Sequence, residues 1–337
     1  MSKKFFLAAL AVAASLQSAV AGDDIKSYLP DFHGVLRPQY SLSTTDGESL
    51  FRVRNARLAL SGHVTDDFDY FAQVDLCQEG SFKALDFWGR LAITKEFKVQ
   101  AGQFRMPFGV EPFRAPGNYI FTDRSFLGKQ MCNYRAIGAK AMYTFAKLPV
   151  SIEGGVFSPY AITIQNRWTK KLAYSCKASV HAGDFTFTTG FMSIIPDGVR
   201  TNLVDGAISW SAHRWLVEAE YMYEHYTHKA HKACNGFATF VDYWMPLKAG
   251  KFNRLSFQGR FDMMGDHSTA ICTEDAILVT DNPARRRITV GSTISHITTK
   301  RLHFDLRMNY LKYFYDKGVT VPAAQNDQLV AEVVVQF

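Results

Sequence analysis

The stretch Arg301-Leu302-His303-Phe304-Asp305-Leu306-Arg307-Met308-Asn309-Tyr310 decides the fold class. Leu302, Phe304, Leu306, Met308 and Tyr310 share one face, while His303, Asp305, Arg307 and Asn309 share the other. That is the period of a strand, whose successive side chains point to opposite sides. Continued to Tyr315, the run exceeds the roughly 9–11 residues that a tilted strand needs to cross a bilayer. A soluble sheet would have to bury the charged face or expose the apolar one. A strand between lipid and a wet lumen satisfies both.

The same alternation recurs along the chain. Tyr70, Ala72, Val74 and Leu76 oppose Phe71, Gln73 and Asp75. Leu85, Phe87, Leu91 and Ile93 oppose Asp86, Trp88 and Arg90. Leu172, Tyr174, Cys176, Ala178 and Val180 oppose Lys171, Ser175, Lys177, Ser179 and His181. Leu255, Phe257, Phe261 and Met263 oppose Arg254, Ser256, Gln258, Arg260 and Asp262. Both signs of charge lie on the polar faces, and burying them dry and unpaired would be costly.

Such segments predict an all-β, transmembrane antiparallel barrel of about sixteen strands, an even number within the bacterial range of about 8 to 26. The strands should begin near Phe32, Leu50, Phe68, Phe82, Phe97, Asn133, Val150, Trp168, Asp184, Thr201, Arg214, Asn235, Phe252, Arg285, Arg301 and Asp327. Connections after even-numbered strands are short, such as Lys95-Glu96 and Ala182-Gly183. Those after odd-numbered strands run longer, as in 106–132, 159–167, 265–284 and 316–326. Short periplasmic turns and longer extracellular loops are the barrel pattern.

The two ends agree with export. Lys3 and Lys4 precede an apolar stretch from Phe5 to Ala14, followed by Ala19-Val20-Ala21 as a small-x-small cleavage site. Residues 1–21 therefore read as a cleaved signal peptide, 22–31 as a short periplasmic segment and 32–337 as the barrel. No apolar run of the mature part is long enough for a membrane helix, which needs roughly 20 residues. The final segment alternates through Leu329, Ala331, Val333, Val335 and Phe337, and ends on an aromatic residue like the assembly signal of bacterial outer-membrane proteins. Closure against the first strand would remove the exposed edge. The expected location is the outer membrane of a Gram-negative bacterium.

The formal charge of +7 falls to +5 without Lys3 and Lys4. That mild basic excess biases a pore toward anions; no basic cluster with interleaved aromatics points to nucleic acid. The five cysteines form no C-x-x-C pair and give no disulfide framework. His225, His228 and His231 precede Cys234, but a solvated loop accounts for them better than a metal site. No cofactor motif is present.

The N-terminal third reads Phe51-Arg52-Val53-Arg54-Asn55-Ala56-Arg57-Leu58, then Gly62, then Tyr70-Phe71-Ala72-Gln73-Val74-Asp75. It continues with Ala101-Gly102-Gln103-Phe104-Arg105-Met106-Pro107-Phe108-Gly109-Val110-Glu111. From about His33 to Tyr143 this order resembles the phosphate-selective porin family (the porin O and porin P type). The resemblance implies a trimer of sixteen-stranded barrels, a third loop folded into the lumen, and basic lumenal residues that pass anions. Here that loop is 106–132. Asn55 departs from the family, which often has a second arginine at that position.

The candidate anion-conducting residues are Arg52, Arg54, Arg57, Arg105, Arg114, Arg124 and Lys129. A guanidinium offers a planar donor fork suited to phosphate or carboxylate. Strict alternation would place Arg57 opposite Arg52 and Arg54; a β-bulge near Asn55-Ala56 would bring all three inside. Some loop cations are expected to pair with Glu111 and Asp123. Strand parity also puts Arg37, Arg90, Lys171, Lys177, Arg254, Arg260, Arg287 and Arg307 in the lumen. Asp75, Asp86, Glu218, Glu220, Asp262, Asp305 and Glu332 should face the same water, and mixed walls select weakly. The expected function is a porin for passive diffusion of small hydrophilic solutes with a mild anion preference, phosphate among the candidates. The competing readings are a closed barrel serving as anchor or adhesin, and an outer-membrane barrel enzyme. His303 and Asp305 share a face, but no catalytic motif surrounds them.

Overall fold

A computed structural model describes residues 29–78, 81–268, 282–299 and 302–337. The segments read as a signal peptide and most of the periplasmic segment lie outside the described residues. Sixteen strands alternate up and down: β1 (Asp31–Ser43), β2 (Ser49–Thr65), β3 (Phe68–Gln78), β4 (Ser81–Ala92), β5 (Phe97–Arg105), β6 (Arg135–Thr144), β7 (Val150–Phe157) and β8 (Ala173–Ala182). They continue as β9 (Phe185–Ile194), β10 (Thr201–Ala212), β11 (Trp215–Tyr226), β12 (Cys234–Ala249), β13 (Phe252–Met264), β14 (Arg285–Ile297), β15 (His303–Tyr315) and β16 (Gln328–Gln336). Each strand pairs antiparallel with its sequence neighbours, and β1 pairs with β16 to close the barrel. The expected strand starts hold closely except for β8. Its alternating pattern begins at Trp168, but the ladder begins only at Ala173, so Trp168–Lys171 are loop residues and Lys171 does not face the lumen.

Closure is completed at Phe337. Its backbone exchanges hydrogen bonds with Gly34, N–H to O at 3.1 Å and O from N–H at 2.8 Å. A Cβ on Gly34 would stand 2.1 Å from the Phe337 ring, so glycine makes the seat for that ring. The outward face is an apolar band with many exposed large side chains, Phe51, Phe191, Val290, Met308 and Phe337 among them. Toward the short-turn side it carries aromatic pairs such as Trp215–Tyr243 and Tyr143–Phe145. An apolar belt edged with aromatics is the surface a bilayer requires.

Two bulges adjust the inward face. Arg37 pairs with Asn55 but Pro38 pairs with Val53, leaving Arg54 as the extra residue of β2. Gln73 pairs with Asp86 but Val74 pairs with Ala84, leaving Leu85 as the extra residue of β4. The first bulge lies one position earlier than the sequence suggests and has the expected consequence for the arginines. The second overturns the outward assignment of Leu85, which is buried and lines a lumenal cavity.

Candidate functional site: an arginine-lined passage beside the third loop

The loop between β5 and β6 enters the barrel and leans on one side of it. Its underside is apolar: Met106, Phe108, Leu127 and Met131 pack on Met192, Leu203, Met222 and Met264 of the β9–β13 wall. Each fully buried side chain of this size contributes about 1.5–3 kcal/mol. Gly236 permits the contact, since a Cβ there would lie 2.2 Å from Leu127 Cδ2.

Polar anchors extend the loop's seat from β11 round through β13, β14 and β15 to β1. The Val110 N–H donates to Glu220 Oε1 at 2.8 Å, Phe126 N–H to Asp262 Oδ2 at 2.9 Å, and Thr122 N–H to Asn309 Oδ1 at 2.7 Å. In return Arg287 donates to the Arg124 carbonyl at 2.8 Å, Arg260 to that of Asp123 at 2.9 Å, and Arg37 to that of Thr122 at 2.7 Å. These wall residues also neutralise one another. Arg287 pairs with Asp262 at 2.6 Å, while Arg37 and Arg307 grip Glu332 at 2.6 and 3.0 Å. Most of the acids expected to dilute the lumenal charge are thus spent on holding the loop or on a buried arginine.

The opposite side remains open. Between the loop and the β1–β4 wall lies a cavity of about 570 Å³ lined by Arg37, Arg54, Arg57, Lys83, Arg124, Lys129 and Arg135, against the single acid Asp75. It shares Arg54 and Lys129 with a cavity of about 360 Å³ toward the long-loop side. It shares Arg57 and Arg135 with one of about 320 Å³ toward the short-turn side. The cavities trace a route along one wall in which cations outnumber the acids Glu48, Asp75, Asp86 and Asp123.

The structure places the sequence candidates as follows. Arg52 donates to Gln39 Oε1 at 2.6 and 2.8 Å and, among the described residues, forms no ion pair. Arg54 reaches across to Asp123 at 3.0 Å, and Arg57 pairs with Asp75 at 3.0 Å. Arg124 bonds the Tyr119 hydroxyl and, at 2.8 Å, Asn133 Oδ1. Lys129 is exposed to the passage, and neither it nor Arg124 has a carboxylate within ion-pair distance among the described residues. Arg105 lines the short-turn-side cavity, beside Phe104 and Arg135. Arg114 is committed instead: it pairs with Glu218 at 2.5 Å and lies over the Phe240 ring.

The expected partners of Glu111 differ. Its carboxylate accepts from the Ser125 N–H at 3.0 Å and hydroxyl at 2.5 Å, closing the loop on itself. Asp123 binds the wall rather than a loop cation. Burial acts to raise the Asp123 carboxyl, but Arg54, Lys129 and Arg287 outweigh it and hold it well below the usual carboxylate range. Lys83 and Arg135 were missed. Plain alternation puts Lys83 on the Leu85 face, and only its charge hinted that a bulge must turn it inward. Arg135 pairs with Asp86 at 2.9 Å, where the strand resumes after the loop.

Residues 36–185 match the family model of the phosphate-selective porins O and P, the stretch that carries the sequence motifs. Comparison with curated protein sequences gives no significant match. Among solved structures, Salmonella typhi OmpF superposes with a TM-score of 0.64 at 12% identity, covering 93% of this chain and 99% of that one. A loop-deletion form of Vibrio cholerae OmpT gives 0.61 at 12%, covering 92% and 100%. The anion-selective porin of Comamonas acidovorans gives 0.59 at 13%, covering 91% and 98%. At these identities the likeness is one of fold.

Proposed function

We infer that this chain, an outer-membrane porin of a Gram-negative bacterium similar to the phosphate-selective porins, passes small hydrophilic solutes by passive diffusion with a mild preference for anions. The observation that carries the preference is the charge asymmetry of the passage. Its wall and the facing loop offer Arg52, Arg124, Lys83 and Lys129 without carboxylate partners among the described residues. Most acids of the far wall are engaged with the loop or with arginines. A lining in which one sign predominates favours the opposite ion. Reversal potentials of single channels in a salt gradient test this: an anion preference is expected, and a cation preference would overturn it. Added phosphate that reduces chloride current would place phosphate among the solutes.

Family and fold point to a channel rather than an enzyme. We propose a homotrimer as the working unit. The related fold of Vibrio cholerae OmpT has a trimer form, and three barrels side by side would share part of the apolar belt. Light scattering of the detergent-solubilised protein gives the subunit number directly; a monomer mass would refute the trimer.

A further inference from the structure

The loops at the long-loop ends of β7–β10 carry charge that the channel does not use. Arg167, Lys170 and Lys171 lie in the connection 158–172 and Arg200 in the connection 195–200, where Asp197 is the lone acid. None of the four cations has a carboxylate within ion-pair distance among the described side chains. Two of them lie over aromatic rings. Arg200 sits 5.8 Å over the Tyr174 ring, and Arg167 sits 5.8 Å over that of Tyr160.

Arg200 is fixed on the outer side of the rim. It donates to Ser193 Oγ at 2.7 Å and to the Leu172 carbonyl at 3.1 Å. Ser193 pairs across the sheet with Tyr174, an exposed outward residue, so both lie on the lipid side. Lys171 Nζ approaches the Gly198 carbonyl at 3.4 Å on the same rim. Trp168 is fully exposed beside them, and Leu172, Tyr174 and Phe191 continue the patch into the apolar belt. Tryptophan and tyrosine settle where hydrocarbon meets headgroups, and basic side chains just above them meet lipid charge.

The geometry points to a lipid-binding patch on this rim, in which Arg167, Lys170, Lys171 and Arg200 receive the phosphorylated sugar headgroup of an outer-leaflet glycolipid while Trp168 and Leu172 lie along its acyl chains. Guanidinium and ammonium groups together suit phosphates spread over a sugar surface. The patch borders the hydrocarbon belt through Leu172, Tyr174 and Phe191, which favours an amphiphile over a free anion. It depends on the outer-membrane location and not on the selectivity of the lumen.

The test titrates the full barrel, in mixed micelles, with a diphosphorylated diglucosamine lipid and reads binding by native mass spectrometry. The wild type should bind this lipid and lose it when the lipid is enzymatically dephosphorylated. Lys170→Gln, Lys171→Gln and Arg200→Gln combined should weaken binding about a hundredfold, and Trp168→Ala should weaken it several-fold. Single-channel conductance of these variants should match the wild type, which also reports correct folding. Equal binding of the dephosphorylated lipid, full affinity in the triple variant, or complete displacement by millimolar inorganic phosphate would each overturn the proposal.

Discussion

Arg54 of β2 and Asp123 of the third loop meet at 3.0 Å across the mouth of the passage. This is the one ion pair among the described residues that ties the loop to the β2 wall; the other anchors all fall elsewhere on the barrel. Asp123→Asn should therefore leave the loop seated, because the Asp123 carbonyl still accepts from Arg260. It removes a negative charge from beside Arg52, Arg54 and Lys129. Reversal potentials should shift toward anions by about threefold to tenfold in permeability ratio, as expected of one charge in a partly wet site. An unchanged ratio would show that the passage runs elsewhere.

Lys129→Gln and Lys83→Gln should do the opposite. Both side chains are exposed in the passage and carry no ion pair among the described residues, so stability should change by less than about 0.5 kcal/mol. Anion permeability relative to cation should fall in each. Arg114→Gln serves as the contrast. Its guanidinium is spent on Glu218, so the variant should lose stability with little change in selectivity. Thermal unfolding and reversal potential, measured on all three, separate the two roles.

Asp262 is fully buried and receives both Arg287 and the Phe126 N–H. Asp262→Ala leaves Arg287 without its carboxylate and leaves Arg260 only Glu111, at 3.9 Å. Breaking such a pair costs about 3–5 kcal/mol. The loop should loosen, seen as noisier open-channel current and a lower unfolding midpoint. Quiet channels of wild-type stability would contradict the docking described above.

Lys129 also gives a pH signature. Although its side chain faces the passage, desolvation by the protein packed around it, followed by repulsion from Arg54, Arg287 and Arg285, lowers its pKa below the ordinary lysine value despite the pull of Asp123. A lowered pKa means the ammonium loses its proton at a lower pH than a free lysine would. Anion preference should therefore decline as pH rises through that lowered value. Lys129→Arg should abolish the decline, since a guanidinium stays charged.

Strand number, strand ends and lumenal parity were readable because period-two alternation records which face meets lipid. Arg301–Tyr315 shows this over most of its length. Reading failed where the local signal has two causes. Trp168–Lys171 alternates like a strand but sits in a loop, since alternation without a paired neighbour makes no ladder. Leu85 looks lipid-facing because a bulge leaves no mark beyond the misplaced charge of Lys83. The docking of Val110 on Glu220 joins positions far apart in sequence, and neither residue announces its partner. Hence the sequence could nominate candidate cations, whereas which of them are tied up, as Arg114 is, required the fold.

The bulge at Arg54 has a consequence for how densely a pore wall can be charged. A regular strand offers the lumen one side chain every second residue, or about 6.8 Å of rise. The extra residue in β2 breaks that limit, placing Arg52, Arg54, Asn55 and Arg57 on the inner side within six positions. If anions follow this wall, as proposed, the adjacent Arg54 and Asn55 would present them with donors closer together than a regular pleat allows.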